Sequence, residues 1–459
     1  MNKLRIAVIG GGISGLSAAY WLDRQGHAVT VFEQSSHSGG SIVTEKAGGF
    51  LADFGPNSAL ETSETLRTLV SELGLDGQKV YANPAAKERY VVKDGVLHPV
   101  PMTPLKFVKT KLFSTAAKLR LLKEPFLART DGRDLSLADL VRYRLGPEFL
   151  DYAVNPFVAG VYAGDPERLS AAAAFPKLYN LEQKYGSFIR GAMLGGRERK
   201  RRKEIAKDRA RLFSFMDGMQ TLPRALAARL EGKILLGSGV QRLVRQNGGF
   251  VIKGGDQQGP HTLFDRVVLA APAAALGRLL QPLAPEKAQR IDAVEYSPVA
   301  VVFIGFPATA VAHELNGFGF LVPAVEQRQI LGSIWSSALF PQRAPDGCVA
   351  FTTFVGGARQ PELAALDDES LAQIVHRELA GLVGLCGDPT LVRVKRWARA
   401  IPQYTLGYGA IQQLFAEIER EIPGLYIAGN LRRGISVGDS VLSAHETVQR
   451  IGKAGDSHF

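Results

Sequence analysis

The stretch VIGGGISGLSAAYWL, residues 8–22, places Gly10, Gly12 and Gly15 in a GxGxxG spacing between an apolar run and an amphipathic one. Leu4 to Ile9 is apolar and rich in β-branched residues, which predicts a buried parallel strand. Ser14 to Arg24 then reads as a helix and Ala28 to Glu33 as a second strand. Strand, helix, strand is a βαβ unit, and it implies a parallel sheet with a right-handed crossover. The glycines have separate duties: the first two keep the turn tight and let a pyrophosphate approach the backbone, and the third lets the helix lie on the sheet. A phosphate would sit at the positive helix end, against Gly10, Gly12, Ile13, Ser14 and Gly15. Glycine-rich turns are common on their own, but here Glu33 ends the second strand, with Gln34 beside it. A carboxylate at that place accepts the ribose hydroxyls of an adenosine. This fingerprint does not by itself separate FAD from NAD.

Outward from this unit, the 459 residues are enough for two or three cooperating domains. With 46% hydrophobic and 22% charged residues, neither disorder nor a fibrous class is indicated. The two cysteines, Cys348 and Cys386, fit no metal or redox spacing and are expected as small core residues in a reducing compartment. The eight histidines form no HxxxH or HxH pair, so no metal site is expected. Lys3 and Arg5 before an uncharged run copy the start of a signal peptide. Gly10, Gly11, Gly12 and Gly15 interrupt what would have to be a continuous apolar helix, and no cleavage site follows. No window is long and apolar enough for a spanning helix, so a cytoplasmic protein is expected, at most peripheral on the cytoplasmic face of a membrane.

The net charge of +11 favours acidic partners. Much of it is local: Arg197, Arg199, Lys200, Arg201, Arg202 and Lys203 form one run, and Lys106, Lys109, Lys111, Lys118, Arg120 and Lys123 lie in an apolar-basic segment. A solvated helix face and an anionic membrane surface both account for such runs. From about Pro99 to Arg211 the pattern is amphipathic with few strand signals, which predicts a helical insertion. Gly218 to Leu230 reads as a helix, and Ile234 to Val244, Gly249 to Lys253 and Arg266 to Ala270 read as strands. Pro298 to Phe306, Cys348 to Val355 and Leu425 to Ala428 read as further strands, and a terminal helix starts near Gly438.

Further blocks carry a family resemblance. Gly39 and Gly40 stand where two-dinucleotide-binding flavoproteins place paired glycines beside the flavin phosphates, although Ser38 and Ser41 replace the arginine that many of them carry there. GLYIAGNLRRGISVG, residues 424–438, repeats the logic of strand, glycine turn and helix start. It resembles the C-terminal flavin segment of the amine-oxidase-like FAD superfamily, as Asp217 to Gln220 and Val240 resemble its middle segment. GPNS (55–58), NPAAKERYVV (83–92), NPFVAGVYAGDPERLS (155–170), GFGFLVP (317–323), TTFVGGARQPEL (352–363) and IPQYTLGY (401–408) all resemble blocks of the oxygen-dependent protoporphyrinogen oxidases, in family order.

That resemblance implies an α/β fold with a Rossmann-like, discontinuous FAD domain (1–80, 212–275 and 412–459). It also implies a mixed α+β substrate domain (81–98 and 276–411) and a helical, membrane-associating insertion (99–211). It implies noncovalent FAD held additionally by Gly39, Gly40, Ser41, Gly55, Pro56, Asn57, Val240, Gly429, Asn430, Ser436 and Val437. For substrate it implies Arg89 on a propionate, Phe354 stacked on a pyrrole ring, Leu321 and Ile334 on the opposite face, and the carbonyl of Gly160 towards the ring nitrogens. Taken alone, Phe354, Leu321 and Ile334 would be read as strand core and Arg89 as a surface ion pair. The implied reaction is FAD-dependent oxidation of protoporphyrinogen IX by O2, with no catalytic side chain beyond the flavin. Oxidation of coproporphyrinogen III, an amine oxidase or desaturase, and a non-enzymatic flavin or porphyrin carrier are the alternatives. Nucleic acid is not expected as a partner, and the sequence leaves the choice between monomer and homodimer open.

Overall fold

Five parallel strands from distant parts of the chain form one sheet, in the order Ile234–Leu235, Ala28–Phe32, Arg5–Ile9, Arg266–Leu269, Leu425–Ile427. The computed structural model describes residues 3–201, 210–254 and 262–456, leaving aside the side chains of 195–201 and 454–456. Ile9 is the hub of the sheet, in register with Phe32 on one side and Leu269 on the other. Ile6, Ala7 and Val8 are fully buried, because the sheet is covered on both faces. One cover is the helix Ile13–Arg24 packed with the terminal helix Val437–Asp456; the other includes Ala273–Leu280 and Tyr408–Glu421.

A second, seven-stranded sheet runs Leu391–Pro402, Tyr296–Pro307, Cys348–Gly356, Gly332–Trp335, Gly317–Leu321, Glu88–Lys93, Val96–Pro99. All its pairings are antiparallel except that between Gly317–Leu321 and Glu88–Lys93. Side chains alternate between its faces. Ala300, Val302, Ile304, Trp335 and Phe351 pack under the helix Asp368–Val383. Val299, Val301, Phe303 and Phe354 face the other way, onto Phe50, Phe54, Ala159 and Ala163. The sheet therefore presents one face to segments of the dinucleotide unit.

Between residues 104 and 201 the described chain is helical. Its interior holds charge: Arg144 pairs with Glu182 and lies 3.9 Å from Glu124, all three fully buried. Glu182 also accepts from the backbone N and the hydroxyl of Thr130, each at 2.8 Å. Burial works against its charge, yet these donors and Arg144 outweigh that effect and hold its carboxyl below the usual range. Glu124 accepts from the backbone N of Phe188 at 2.8 Å and from Ile189 at 3.2 Å, and so serves the first turn of the helix Phe188–Arg201.

Some expectations need correction. Ile234 to Val244 is not one strand: Ile234–Leu235 joins the parallel sheet, and Arg242–Gln246 starts a separate three-stranded sheet. Gly237, at φ +64°, turns the chain between them, and Ser238 N donates to Glu33 O at 2.8 Å. The helix expected from Gly218 starts at Thr221, because Gly218 itself adopts φ +83° in a turn. Cys386 is exposed and so is not a core residue, whereas Cys348 is half-buried and packs against the core around Phe303. Of the basic run, Arg202 and Lys203 lie outside the described residues. Among the described residues no helix is long and apolar enough to cross a membrane.

Candidate functional site

The turn after Arg5–Ile9 brings the N-terminal glycines against Glu33 and the Gly39–Gly40 pair, onto which further segments pack. A Cβ on Gly15 would fall 1.9 Å from Gly10 O, so only glycine lets the helix start this close to the strand. Gly11 N donates to Glu33 Oε2 at 2.6 Å and Ser35 N to Glu33 Oε1 at 2.8 Å, which fixes the carboxylate while each oxygen keeps acceptor capacity. Gly39 N donates to Gly11 O at 2.8 Å, and a Cβ on Gly40 would lie 3.2 Å from the Cα of Gly12. Gly55 is as close to Ser41, whose carbonyl would lie 1.9 Å from an added Cβ, with half-buried Pro56 next to it. Gly239, just before Val240, packs on the side chain of Gln34, where a Cβ would meet it at 3.3 Å.

The C-terminal segment closes the ring. Gly429, at φ +112°, sits where an added Cβ would be 3.6 Å from Ser14 Oγ, and its N–H donates to Ser443 Oγ at 3.0 Å. Ser436 Oγ accepts from Asp439 N at 3.1 Å and so caps the terminal helix, whose first residue, Val437, is buried against the core that includes Leu16. Ile13 packs against that same core. Below Asn430 lie two tyrosines that sequence reading did not single out. Tyr404 donates its hydroxyl to Asn430 O and Tyr408 to Leu431 O at 2.7 Å, and their rings stack with centroids 4.2 Å apart. Burial pushes both phenols far up, so they stay protonated and can donate to these carbonyls. The block IPQYTLGY carried the signal, but nothing in the sequence says that its tyrosines meet residues 430 and 431.

On the second sheet, Leu321 is in register with Gly332, and Gly332 with Phe354. A Cβ on Gly332 would lie 2.5 Å from Phe320 O and 3.1 Å from Leu321 Cδ2, so the central strand is bare between two large side chains. Ile334, two residues on and on the same face, is in register with Thr352. Gly160, in the helix Asn155–Tyr162, abuts the same row: a Cβ there would be 2.5 Å from Leu321 Cδ2. Its carbonyl is one of the last four of that helix, which lack intrahelical donors. Leu321 thus packs against both Gly160 and Gly332, and Leu321, Gly332 and Phe354 form one apolar row with Ile334 two residues along the same face. Arg89 is exposed, its guanidinium lies 5.7 Å from the ring centre of Phe318, and that ring packs in a cluster with Ile334.

Asn57 joins the segment after Asp53 to the second sheet. Its amide reaches Asp53 O and Thr352 Oγ1, both at 3.4 Å, from the strand that carries Phe354. Behind it a small cavity is lined by Asn57, Ile334, Ser336, Thr352, Asp53 and Arg343, among others. Arg343 Nη2 lies 2.8 Å from Asp53 Oδ2, and Asp53 Oδ1 accepts from Thr44 Oγ1 at 2.6 Å and Met219 N at 3.0 Å. Burial pushes the Asp53 carboxyl up against the pull of Arg343, and pushes the Arg343 guanidinium down against the pull of Asp53. The Asp53–Arg343 pair, which sequence reading missed, fastens the dinucleotide segments to the second sheet.

Residues 13–452 match the family described as flavin containing amine oxidoreductase. The chain belongs to that family. Protoporphyrinogen oxidase 2, chloroplastic/mitochondrial, of Arabidopsis thaliana is 33% identical over 467 residues, covering 96% of this chain and 92% of the relative. Coproporphyrinogen III oxidase of Bacillus subtilis (strain 168) is 29% identical over 457 residues, covering 96% of each. A crystal structure from Exiguobacterium sp. 255-15 superposes with a TM-score of 0.83 at 26% identity, covering 98% of this chain and 99% of that one. The protein is accordingly an FAD-dependent oxidoreductase of α/β fold.

The cradle fits FAD on its own geometry. The helix Ile13–Arg24 begins at Gly12 with no side-chain cap and no acidic residue in its first turn, so its leading N–H groups are available to an anion. The close approach of Gly12 and Gly40 leaves backbone, not side chains, facing that end. Ser38 and Ser41 flank the pair without a guanidinium, so the helix end and backbone N–H groups would have to supply this part of a phosphate site.

Proposed function

We propose that this protein oxidises a porphyrinogen, protoporphyrinogen IX to protoporphyrin IX, with noncovalently bound FAD and with O2 as terminal acceptor. The observation that carries the reading is the register row Leu321, Gly332, Phe354 beside Gly160: an apolar face that sets a branched aliphatic and an aromatic side chain on either side of a glycine. Such a face suits a large flat macrocycle, and the exposed Arg89 suits its carboxylate arms. When bound, FAD supplies a two-electron acceptor for carbon-bound hydride that O2 regenerates, so three rounds and three H2O2 account for the six electrons. Phe354 and Leu321 hold the ring faces, the Gly160 carbonyl accepts from the ring N–H groups, and Arg89 orients a propionate. Tyr404 and Tyr408 hold the Asn430–Leu431 backbone from the far side. We assign Glu33, Gln34 and Val240 to the adenosine end, Gly10, Gly12, Gly15, Gly39 and Gly40 to the phosphates, and Asn57, Gly429 and Asn430 to the flavin end.

In this reading residues 1–80, 212–275 and 412–459 form the FAD domain, 81–98 and 276–411 the substrate domain, and 99–211 a membrane-associating domain. Support for the last is a patch of Leu105, Val108, Leu119, Leu122, Phe126 and Met193, all exposed, interleaved with Lys106, Lys109, Lys118 and Lys123. We place the protein in the cytoplasm, peripheral on the membrane, as a homodimer. Coproporphyrinogen III is the second reading, favoured by the Bacillus subtilis relative. Purified holoenzyme should be assayed on both porphyrinogens by porphyrin fluorescence with oxygen uptake. Higher kcat/KM on coproporphyrinogen III would move the assignment there, and flavin reduction by neither would overturn it.

A further inference from the structure

Arg359 lies five residues past Phe354, in the loop that leaves the strand Cys348–Gly356. Its Nη1 donates to Asn155 Oδ1 at 3.2 Å and its Nη2 to Val322 O at 3.3 Å. Asn155 is the first residue of the helix that carries Gly160, and Val322 directly follows Leu321. Asn155 Oδ1 also accepts from Ala324 N at 2.8 Å, which ties that helix to the same stretch of chain. One side chain therefore touches the supports of Gly160, Leu321 and Phe354, the three walls of the proposed substrate slot.

The choice of arginine here is costly. Its Nε is buried without a hydrogen-bond partner, and burial pushes its guanidinium down to about 10, opposed only by the charge of Asp165. Among the described residues no carboxylate lies within ion-pair distance of it. A buried cation whose acceptors are an amide and a carbonyl does not recover its desolvation cost, and an apolar side chain of that length would serve stability at least as well. What arginine adds is a planar fork that spans two acceptors at a set separation.

We propose that Arg359 is a positioning residue that sets the width of the slot, by holding Asn155 and Val322 at fixed separation and so Gly160 and Leu321 opposite Phe354. The inference rests on the slot reading given under Proposed function. With the clamp released, the macrocycle would settle in several tilts, and only some would present the reacting carbon.

The test uses purified, FAD-bound full-length enzyme with protoporphyrinogen IX. Arg359→Met should raise KM about tenfold and lower kcat by a smaller factor, the scale of a lost charged hydrogen bond. Flavin content, the urea midpoint and the rate at which O2 reoxidises dithionite-reduced enzyme should stay at wild-type values. Arg359→Lys should recover part of the KM, since a point charge cannot span both acceptors. Asn155→Ala should reproduce the KM effect and add little to Arg359→Met, because both release one clamp. It also carries the test if the methionine variant does not fold. Wild-type KM and kcat in Arg359→Met, or in Asn155→Ala where the methionine variant fails to fold, would overturn the proposal, as would full additivity of the two. Phe354→Ala separates the two levels. If it is impaired while Arg359→Met is normal, the clamp alone fails; if it too is normal, the slot reading fails.

Discussion

Arg89 shows how exposure decides what a single residue can contribute. Its guanidinium is exposed and lies over Phe318, so a carboxylate docked on it would remain partly solvated. A charged hydrogen bond is worth about 1.5–3 kcal/mol when well shielded, and the exposed position argues for the lower end. Arg89→Ala should then lower kcat/KM on the free-acid porphyrinogen by about tenfold, at roughly 1.4 kcal/mol per decade. On a substrate with esterified propionates, wild type and variant should perform alike. FAD content should not change, because the Gly11, Glu33 and Ser35 bonds around the glycine turn do not involve Arg89. A wild-type kcat/KM on the free acid would remove Arg89 from the site.

At the scale of elements, the helical region is held by its interior charges as well as by its core. Arg144 faces two buried carboxylates, Glu124 and Glu182, and replacing it with methionine would leave both without their cation. Stranding buried charge in this way costs about 3–5 kcal/mol, so Arg144→Met should shift the urea midpoint markedly downward. Glu182 also predicts a pH dependence. Its folded-state carboxyl titrates below the unfolded value, so its stabilisation is complete above that value, about 4.3, and is lost as pH falls through the lower, folded one. Glu182→Gln should therefore flatten the loss of stability between about pH 5 and 3. An unchanged acid slope, read by urea unfolding, would show that other carboxylates carry it.

Over the whole molecule, exposed apolar residues between 102 and 126 alternate in sequence with lysines. Each lysine near an anionic bilayer contributes about 1 kcal/mol, and salt screens that attraction over roughly 10 Å at 0.1 M. Holoenzyme should therefore sediment with phosphatidylserine-containing liposomes at low salt and be released as salt rises. Neutralising Lys106, Lys109, Lys118 and Lys123 together should weaken binding, while Leu122→Asp or Phe126→Asp should weaken it even at low salt by removing apolar contact. Equal binding to neutral and anionic vesicles would exclude the electrostatic contribution.

By itself the sequence determined the parts whose physics is local. The turn at Gly10 to Gly15, the acceptor at Glu33 and the strand and helix around them follow from side-chain size and hydrophobic period over some thirty residues, and those elements stand within a residue of where they were expected. The segment Ile234 to Val244 was misjudged because its apolar residues fit one strand, whereas Gly237 and the bond from Ser238 to Glu33 divide it between two sheets. Only the tertiary structure decided the apolar row Leu321, Gly332 and Phe354. Leu321, Gly332 and Phe354 are ordinary strand residues until register sets them side by side, and register depends on pairing across the chain. The same holds for Asp53 with Arg343, Tyr404 with Asn430, and Arg359 with Asn155 and Val322. A polar side chain shows in sequence what it can bond, but its partner is chosen by which distant segments the buried sheets bring together.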